Sequence, residues 1–275
     1  MAEIPPPSPR MTTMGWYSSP VEEIEDAAGE IMLLWSLQQP TIRKPNSLVR
    51  QSSQTLPLDS CGHSLTILQS PSSMATPGVT GAVMWDSGLV LAKFLEHSAD
   101  AAALSLPGKR AVELGAGCGL VGCVAALLGA HVVLTDLPDR LRLLRKNVHS
   151  NLGGQVRGSA RVEELTWGDD VDPDLVAPSH PDLVLGSDVV YSEAAVPDLL
   201  CTMKALSGEY TTIFLSGELR NEAVLEYFLE AAMEDFLVGH VDQEQWHPDY
   251  RSPRVALFVM VKKKKKKMEQ ERELL

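Results

Sequence analysis

The chain has 275 residues, 44% hydrophobic and 22% charged, which suits one large α/β domain with added segments. Its most apolar helical run, Leu120 to Ala130, falls well short of the ~20 residues that cross a bilayer, so no membrane partner is expected. The net charge is −12, and the body is more acidic still without the six lysines of Lys262–Lys267. Such a body repels a phosphate backbone, so nucleic acid is disfavoured and a basic, lysine-bearing protein surface fits the field.

The opening MAEIPPPSPR lacks the basic-then-apolar order of a signal peptide, and a cytoplasmic protein is expected. Residues 1–53 are rich in Pro, Ser and Gln and read as a flexible arm. Within it, Val21–Leu37 has the spacing of a short acidic docking helix, with Ile24, Ala28, Ile31 and Leu34 or Trp35 on one side. Two alternating runs between Gln54 and Gln69, split by DSCG, predict a β-hairpin. Gly78–Gly81 reads as a loop, and Trp85–His97 as a helix with Leu89, Phe94 and Leu95 on its apolar side.

From there strands and helices alternate. Strands are predicted over Arg110–Leu114, His131–Asp136, Ala160–Trp167, Asp182–Asp188 and the TTIFLSGE run. Helices are predicted over Leu120–Leu128, Leu137–Asn151, Glu193–Leu206 and Asn221–Met233, with Leu141, Leu144 and Val148 at helical intervals in the second. Phe236–Val241 and Val255–Val261 suggest an antiparallel pair at a sheet edge. This alternation implies a mainly parallel sheet covered on both faces. Lys262–Lys267 begins a charged tail over 262–275 that reads as solvated, with a nuclear address or an adhesive patch for anionic surfaces as the other uses of the run. Cys61, Cys118, Cys123 and Cys201 form no CxxC pair and no zinc-ligand spacing, so free thiols and no metal are expected. Cys118 and Cys123 read as small buried fillers.

The densest chemistry lies in ELGAGCGLVG, with glycines at 115, 117, 119 and 122. A strand that turns into a helix within a few residues needs positive φ and close backbone approach, and the helix start offers free N–H groups. Asp136 ends the following strand, where it faces the same crevice and can accept hydrogen bonds from ribose hydroxyls. Gly117-x-Gly119-x-x-Gly122 also satisfies the dinucleotide pattern, so the glycines indicate a nucleotide-like cofactor and leave a nicotinamide dehydrogenase open. The acid Glu113 at the end of the first strand and the upstream Trp85 segment weigh against that dehydrogenase.

Five segments together carry a more specific likeness: GAVMWDSGLVLAKFL (81–95), AVELGAGCGLVG (111–122), LTDLP (134–138), LTWG (165–168) and DLVLGSDVVYS (182–192). In order and spacing they resemble the seven-β-strand protein-lysine methyltransferases of the DxxY type, also called lysine methyltransferase family sixteen. Within it, the likeness is nearest to the methyltransferase-like group that modifies molecular chaperones. The resemblance spans about residues 54–261.

It implies a Rossmann-like, seven-stranded class I α/β fold, mostly parallel with an antiparallel edge, preceded by the hairpin. It also implies S-adenosylmethionine as cofactor and a lysine of a protein, to be sought among chaperones, as acceptor. Trp85 would pack beside the methionine end of the cofactor, and Gly115, Ala116 and Gly117 would carry the turn beneath it. Asp136 would hold the ribose and Trp167 would border the adenine. Ser187 stands where the family commonly has alanine, next to the cofactor. Asp188 and Tyr191 match the DxxY signature, Asp188 orienting the acceptor amine and Tyr191 walling its channel by a cation–π contact. From the residues alone, Asp188 reads equally well as a helix N-cap and Tyr191 as a packing aromatic. A monomer is expected. Methylation of a small molecule or another side chain, and a binding protein that keeps the fold without catalysis, are the other readings.

Overall fold

The computed structural model describes residues 11–38, 47–75, 80–154 and 156–264. A nine-stranded sheet forms the centre. Its strands are β1 (Met11–Met14), β2 (Tyr17–Glu23), β5 (Arg110–Leu114), β6 (His131–Asp136), β7 (Ser159–Glu164), β8 (Leu183–Ser187), β9 (Thr212–Glu218), β10 (Phe236–His240) and β11 (Val255–Lys262). They lie in the order β1-β2-β10-β11-β9-β8-β5-β6-β7.

From β7 to β9 all neighbours are parallel, and β11 runs antiparallel between β9 and β10. The strands from β10 to β7 make the seven-stranded sheet expected from the sequence. β11 is interior to it, and β10 is not an edge, because β2 pairs with it through Gly239 and Glu23. The inner parallel strands β5, β6 and β8 are mostly apolar, as burial on both faces requires, whereas the edge strand β7 is charged and partly exposed.

One face carries α2 (Asp86–Asp100), α3 (Leu120–Leu127) and α4 (Leu141–Leu152). The other carries α1 (Ala27–Gln38), α6 (Val196–Leu206) and α7 (Glu222–Asp235), with the single turn α5 (Pro173–Val176) joining through its buried Leu175. The helix expected from Leu137 begins four residues later at Leu141, and its predicted apolar residues Leu141, Leu144 and Val148 are buried. Cys118 and Cys123 fill the packing around α3.

The region read as a flexible arm is the largest correction. Residues 11–23 are two strands that extend the sheet, and the docking helix begins at Ala27 rather than Val21. Tyr17 packs tilted against Phe94 and edge-on against Phe214 at centroid separations of 5.5 and 5.6 Å, so this segment reaches the core. Its alternation is concealed because Tyr17 and Val21 face inward with polar Ser19 between them. On α1, Ile24 precedes the helix while Ile31 and Leu34 are buried on it, as predicted; Ala27 takes the inward place assigned to Ala28.

The predicted hairpin is present as β3 (Thr55–Ser60) and β4 (His63–Leu68), turning through Cys61 and Gly62 with φ of 53° and 75°. It stays apart from the main sheet. The outer edge of β4 is satisfied by α4, where Asn147 accepts from Leu68 N at 2.8 Å and Asn151 accepts from Thr66 N at 2.7 Å. The expected Gly78–Gly81 loop lies partly outside the described residues, as does the lysine run from residue 265 onward. Lys262, placed in the tail by sequence, completes β11.

Candidate functional site

Strand order reverses at β5, with β6 on one side and β8 on the other. In an open parallel sheet the carboxyl ends of such strands leave a crevice. Here it is a cavity of about 450 Å³. All nine residues singled out from the sequence line it: Trp85, Gly115, Ala116, Gly117, Asp136, Trp167, Ser187, Asp188 and Tyr191.

The floor follows from the glycine turn. Gly115 has φ +59°, and a Cβ there would come within 3.2 Å of the Trp167 indole. Gly117 has φ +54°, and a Cβ there would lie 3.3 Å from the carbonyl oxygen of Gly81. Both positions need the left-handed region and the absent side chain. Between them, Ala116 N donates to Thr135 O at 2.9 Å, which ties the turn to β6.

Asp136 ends β6, nearly buried. It accepts from Gly117 N at 2.7 Å and Leu137 N at 2.8 Å. Burial raises its proton affinity, and these two N–H groups and Arg140 oppose that. A carboxylate has about four acceptor sites, so capacity remains for ligand hydroxyls on the cavity side.

Glu113, on β5, is fully buried and accepts from Gly122 N at 2.9 Å, holding the start of α3 against the strand. Burial pushes its carboxyl up to about 8, against the pull of the Gly122 N–H and with a further rise from Asp136. The folded chain therefore binds a proton that the unfolded chain, titrating near 4.5, has already released. Stability from this group is full below pH 4.5 and is lost as pH rises through about 8. Replacing Glu113 with Gln should shift the Tm difference in the variant's favour by a few degrees across that window. Thermal unfolding of both proteins over the pH range checks this; a pH-independent difference would contradict it.

At the other wall, Trp85 immediately precedes α2, and its carbonyl accepts from Gly88 N and Leu89 N. Gly88 lets the first helical turn approach β8, since a Cβ there would lie 3.3 Å from Ser187 Oγ. Trp167 lies three residues past β7, not in the strand as expected. Leu165 N still bonds to Asp136 O, after which Gly168 (φ +87°) turns the chain so that its N–H meets Thr202 Oγ1. The indole nevertheless returns over Gly115.

Asp188 follows β8 with φ +58°, uncommon outside glycine. Its N–H continues the ladder to Ser216 O at 2.8 Å. Its carboxylate accepts from Glu218 N at 3.2 Å and forms an ion pair with Arg220. Burial raises its proton affinity; Arg220, the Glu218 N–H and Arg254 oppose the rise. Asp188 is not an N-cap, because the next helical turn begins at Glu193 after Ser192. Tyr191 is 44% exposed at the mouth, so it is not a packing aromatic.

Arg220 was not anticipated. A charged residue just past a parallel strand that ends at the crevice is the signal that would have found it. Residues 246–250, between β10 and β11, lie away from the cavity: Trp246 is buried and donates to Val241 O, and His247 meets His97 and Tyr250.

The cavity fits the cofactor implied by the sequence. Apolar and aromatic surfaces of Met84, Trp85, Val121, Leu165 and Trp167 can take a purine and a methylsulfonium, and Asp136 presents acceptors for ribose hydroxyls.

The profile of the lysine methyltransferase family matches residues 63–234. The protein N-lysine methyltransferase METTL21A of Danio rerio is 44% identical over 160 residues, covering 58% of this chain and 70% of its own length. The EEF1A lysine methyltransferase 3 of Mus musculus is 42% identical over 168 residues, covering 61% and 67%. METTL21A of Mus musculus is 42% identical over 166 residues, covering 60% and 73%. With a cavity that fits S-adenosylmethionine at the carboxyl edge of its sheet, this chain belongs to the lysine methyltransferase family.

Proposed function

We propose that the chain transfers a methyl group to the ε-amino group of a lysine presented by another protein. The observation that carries this reading is the joint placement of Asp188 and Tyr191 on the mouth of the cofactor cavity, away from any capping or packing duty.

Bound S-adenosylmethionine supplies an electrophilic methyl group on a sulfonium. Attack by the amine requires alignment with that methyl, exclusion of water and a neutral nitrogen. An unperturbed lysine has a pKa of about 10.4, so binding must be accompanied by proton loss. Two of the four or so acceptor positions on Asp188 face Glu218 N and Arg220, leaving others for the incoming amine. Asp188 orients the nitrogen. Tyr191 borders the side-chain channel and meets the cation edge of the acceptor. Asp136 would hold the ribose, Gly115 to Gly117 would support the cofactor, Trp85 and Trp167 would wall its two ends, and Ser187, the last residue of β8, faces Gly88 of α2 beside it.

A protein acceptor agrees with the acidic body of the chain. The relatives named above act on protein lysines, in one case EEF1A. A chaperone, expected from the sequence, is the candidate class we favour, with a cytoplasmic site of action. Incubating the full chain and a cell lysate with methyl-labelled cofactor should mark a discrete protein band. The band should be lost with Asp188→Asn. Label confined to small molecules, or no labelled protein at all, would overturn the reading.

A further inference from the structure

The acceptor end of the cavity holds a cation to which no role above has been given. Arg220 lies two residues past β9, pairs with Asp188 and places its guanidinium 4.4 Å from the centre of the Trp85 ring. Together with Tyr191 it borders both the main cavity and a smaller one of about 50 Å³ beside it, walled by Leu225 and Phe228 among others. The side chain is thus fixed by a carboxylate on one side and an aromatic face on another.

The charged groups facing it come from several elements. Asp188 lies past β8, and Glu218 ends β9. Arg254, on the approach to β11, reaches Glu218 Oε2 at 3.3 Å. From α2, Asp86 N donates to Glu218 Oε1 at 3.0 Å, while the Asp86 carboxylate turns away to Ser47, Leu48 and Val49. Tyr191 is titratable at the same mouth, and Glu113, Asp136, Arg140 and Asp198 line the cavity. Burial, then Asp188, push Glu218 up to about 7, so it does not supply a further full negative charge at neutral pH.

An acceptor amine beside Asp188 must lose one proton before it can attack. Amine and carboxylate that close titrate as a pair, and the proton leaves the pair whichever group holds it. A lone carboxylate keeps that proton, because it stabilises the ammonium. A guanidinium is always charged, and its attraction for the ionised carboxylate favours the pair after the proton has gone. We propose that Arg220 is a positioning residue that holds Asp188 ionised and in register, and so lowers the pH at which the acceptor site releases its proton. The acceptor part of this inference rests on the lysine-methylation reading; the Asp188 part does not.

Arg220→Met removes the charge and keeps an unbranched apolar stem, Arg220→Gln keeps a donor should the first variant fold poorly, and Arg220→Lys keeps the charge. In the full chain without cofactor or substrate, the ¹³C carboxyl resonance of Asp188, assigned by its loss in Asp188→Asn, reports protonation directly. Its midpoint should move about one pH unit or more to alkaline in the Met and Gln variants and stay near wild type in the Lys variant. The acid limb of kcat/KM against pH should move the same way, with the rate recovering toward wild type at high pH. A structural role alone would lower the rate at every pH without moving the midpoint. An unchanged Asp188 midpoint in the charge-removing variants overturns the proposal. If the midpoint moves but the wild-type chain labels no protein lysine, the pairing stands and the function reading is what fails.

Discussion

Asp188→Asn is expected to reduce kcat/KM by roughly 10²–10³-fold while changing cofactor affinity by less than about threefold. The substitution is chosen because it isolates the charge. Asn tolerates the left-handed backbone at this position, where φ is +58°, and its amide oxygen can still accept from Glu218 N. What is lost is the anion that orients the acceptor and pairs with Arg220. Oriented groups of this kind act on the transition state more than on binding, which predicts a fall in kcat larger than any rise in the cofactor Kd. Initial rates with a protein substrate, calorimetric cofactor titration and Tm separate the possibilities. A large drop in Tm would indicate a mainly structural residue, and full activity would remove Asp188 from the chemistry.

Asp136→Ala should act on the other half of the site, raising the Kd for S-adenosylmethionine by roughly 10²-fold or more. Hydrogen bonds to a charged group contribute about 1.5–3 kcal/mol each, and a carboxylate facing a ribose can accept two. Asp136 also anchors Gly117 N, so the loss includes loosening of the turn below the cofactor. Asp136→Asn retains an acceptor and should lose nearer tenfold. Calorimetry with the cofactor and with its demethylated product measures both variants, and equal affinity in wild type and Asp136→Ala would contradict the assignment. The two substitutions therefore divide the site, one weakening chemistry with the cofactor held and the other weakening the hold itself.

The parts of this site that could be read from the chain are those whose chemistry is local. Four glycines in eight residues can serve little other than a strand-to-helix turn, and Asp136 follows at the end of the next strand. Asp188 and Tyr191 sit within one short segment after another parallel strand, so topology brings them to the same crevice. Trp85 and Trp167 needed the family resemblance, because an aromatic in a helix start or a loop has many structural uses. The Trp167 boundary shows the limit: its strand stops at Glu164, yet a turn at Gly168 brings the indole back over Gly115 in the cavity wall.

What escaped the sequence depends on partners far along the chain. Arg220 looks like any charged loop residue until the fold sets it against Asp188, 32 residues earlier in sequence. The strands at 11–23 were hidden for a related reason. Their inward positions include Ser19, and their pairing partner, β10, lies more than two hundred residues away. Once β2 is in place, the apparent edge of the seven-stranded sheet is covered, and α1 packs against α7 instead of trailing free. An unpaired edge there would have invited association through the sheet.

The central claim is that this site methylates lysine in a protein. Its most direct test is tandem mass spectrometry of the protein band labelled in a lysate by the full chain and deuterated-methyl S-adenosylmethionine. The label should reside on Nζ of a defined lysine and be absent when Asp188→Asn or Asp136→Ala replaces the wild-type chain. Label on another side chain, or on the same lysine at undiminished level with both variants, would contradict it.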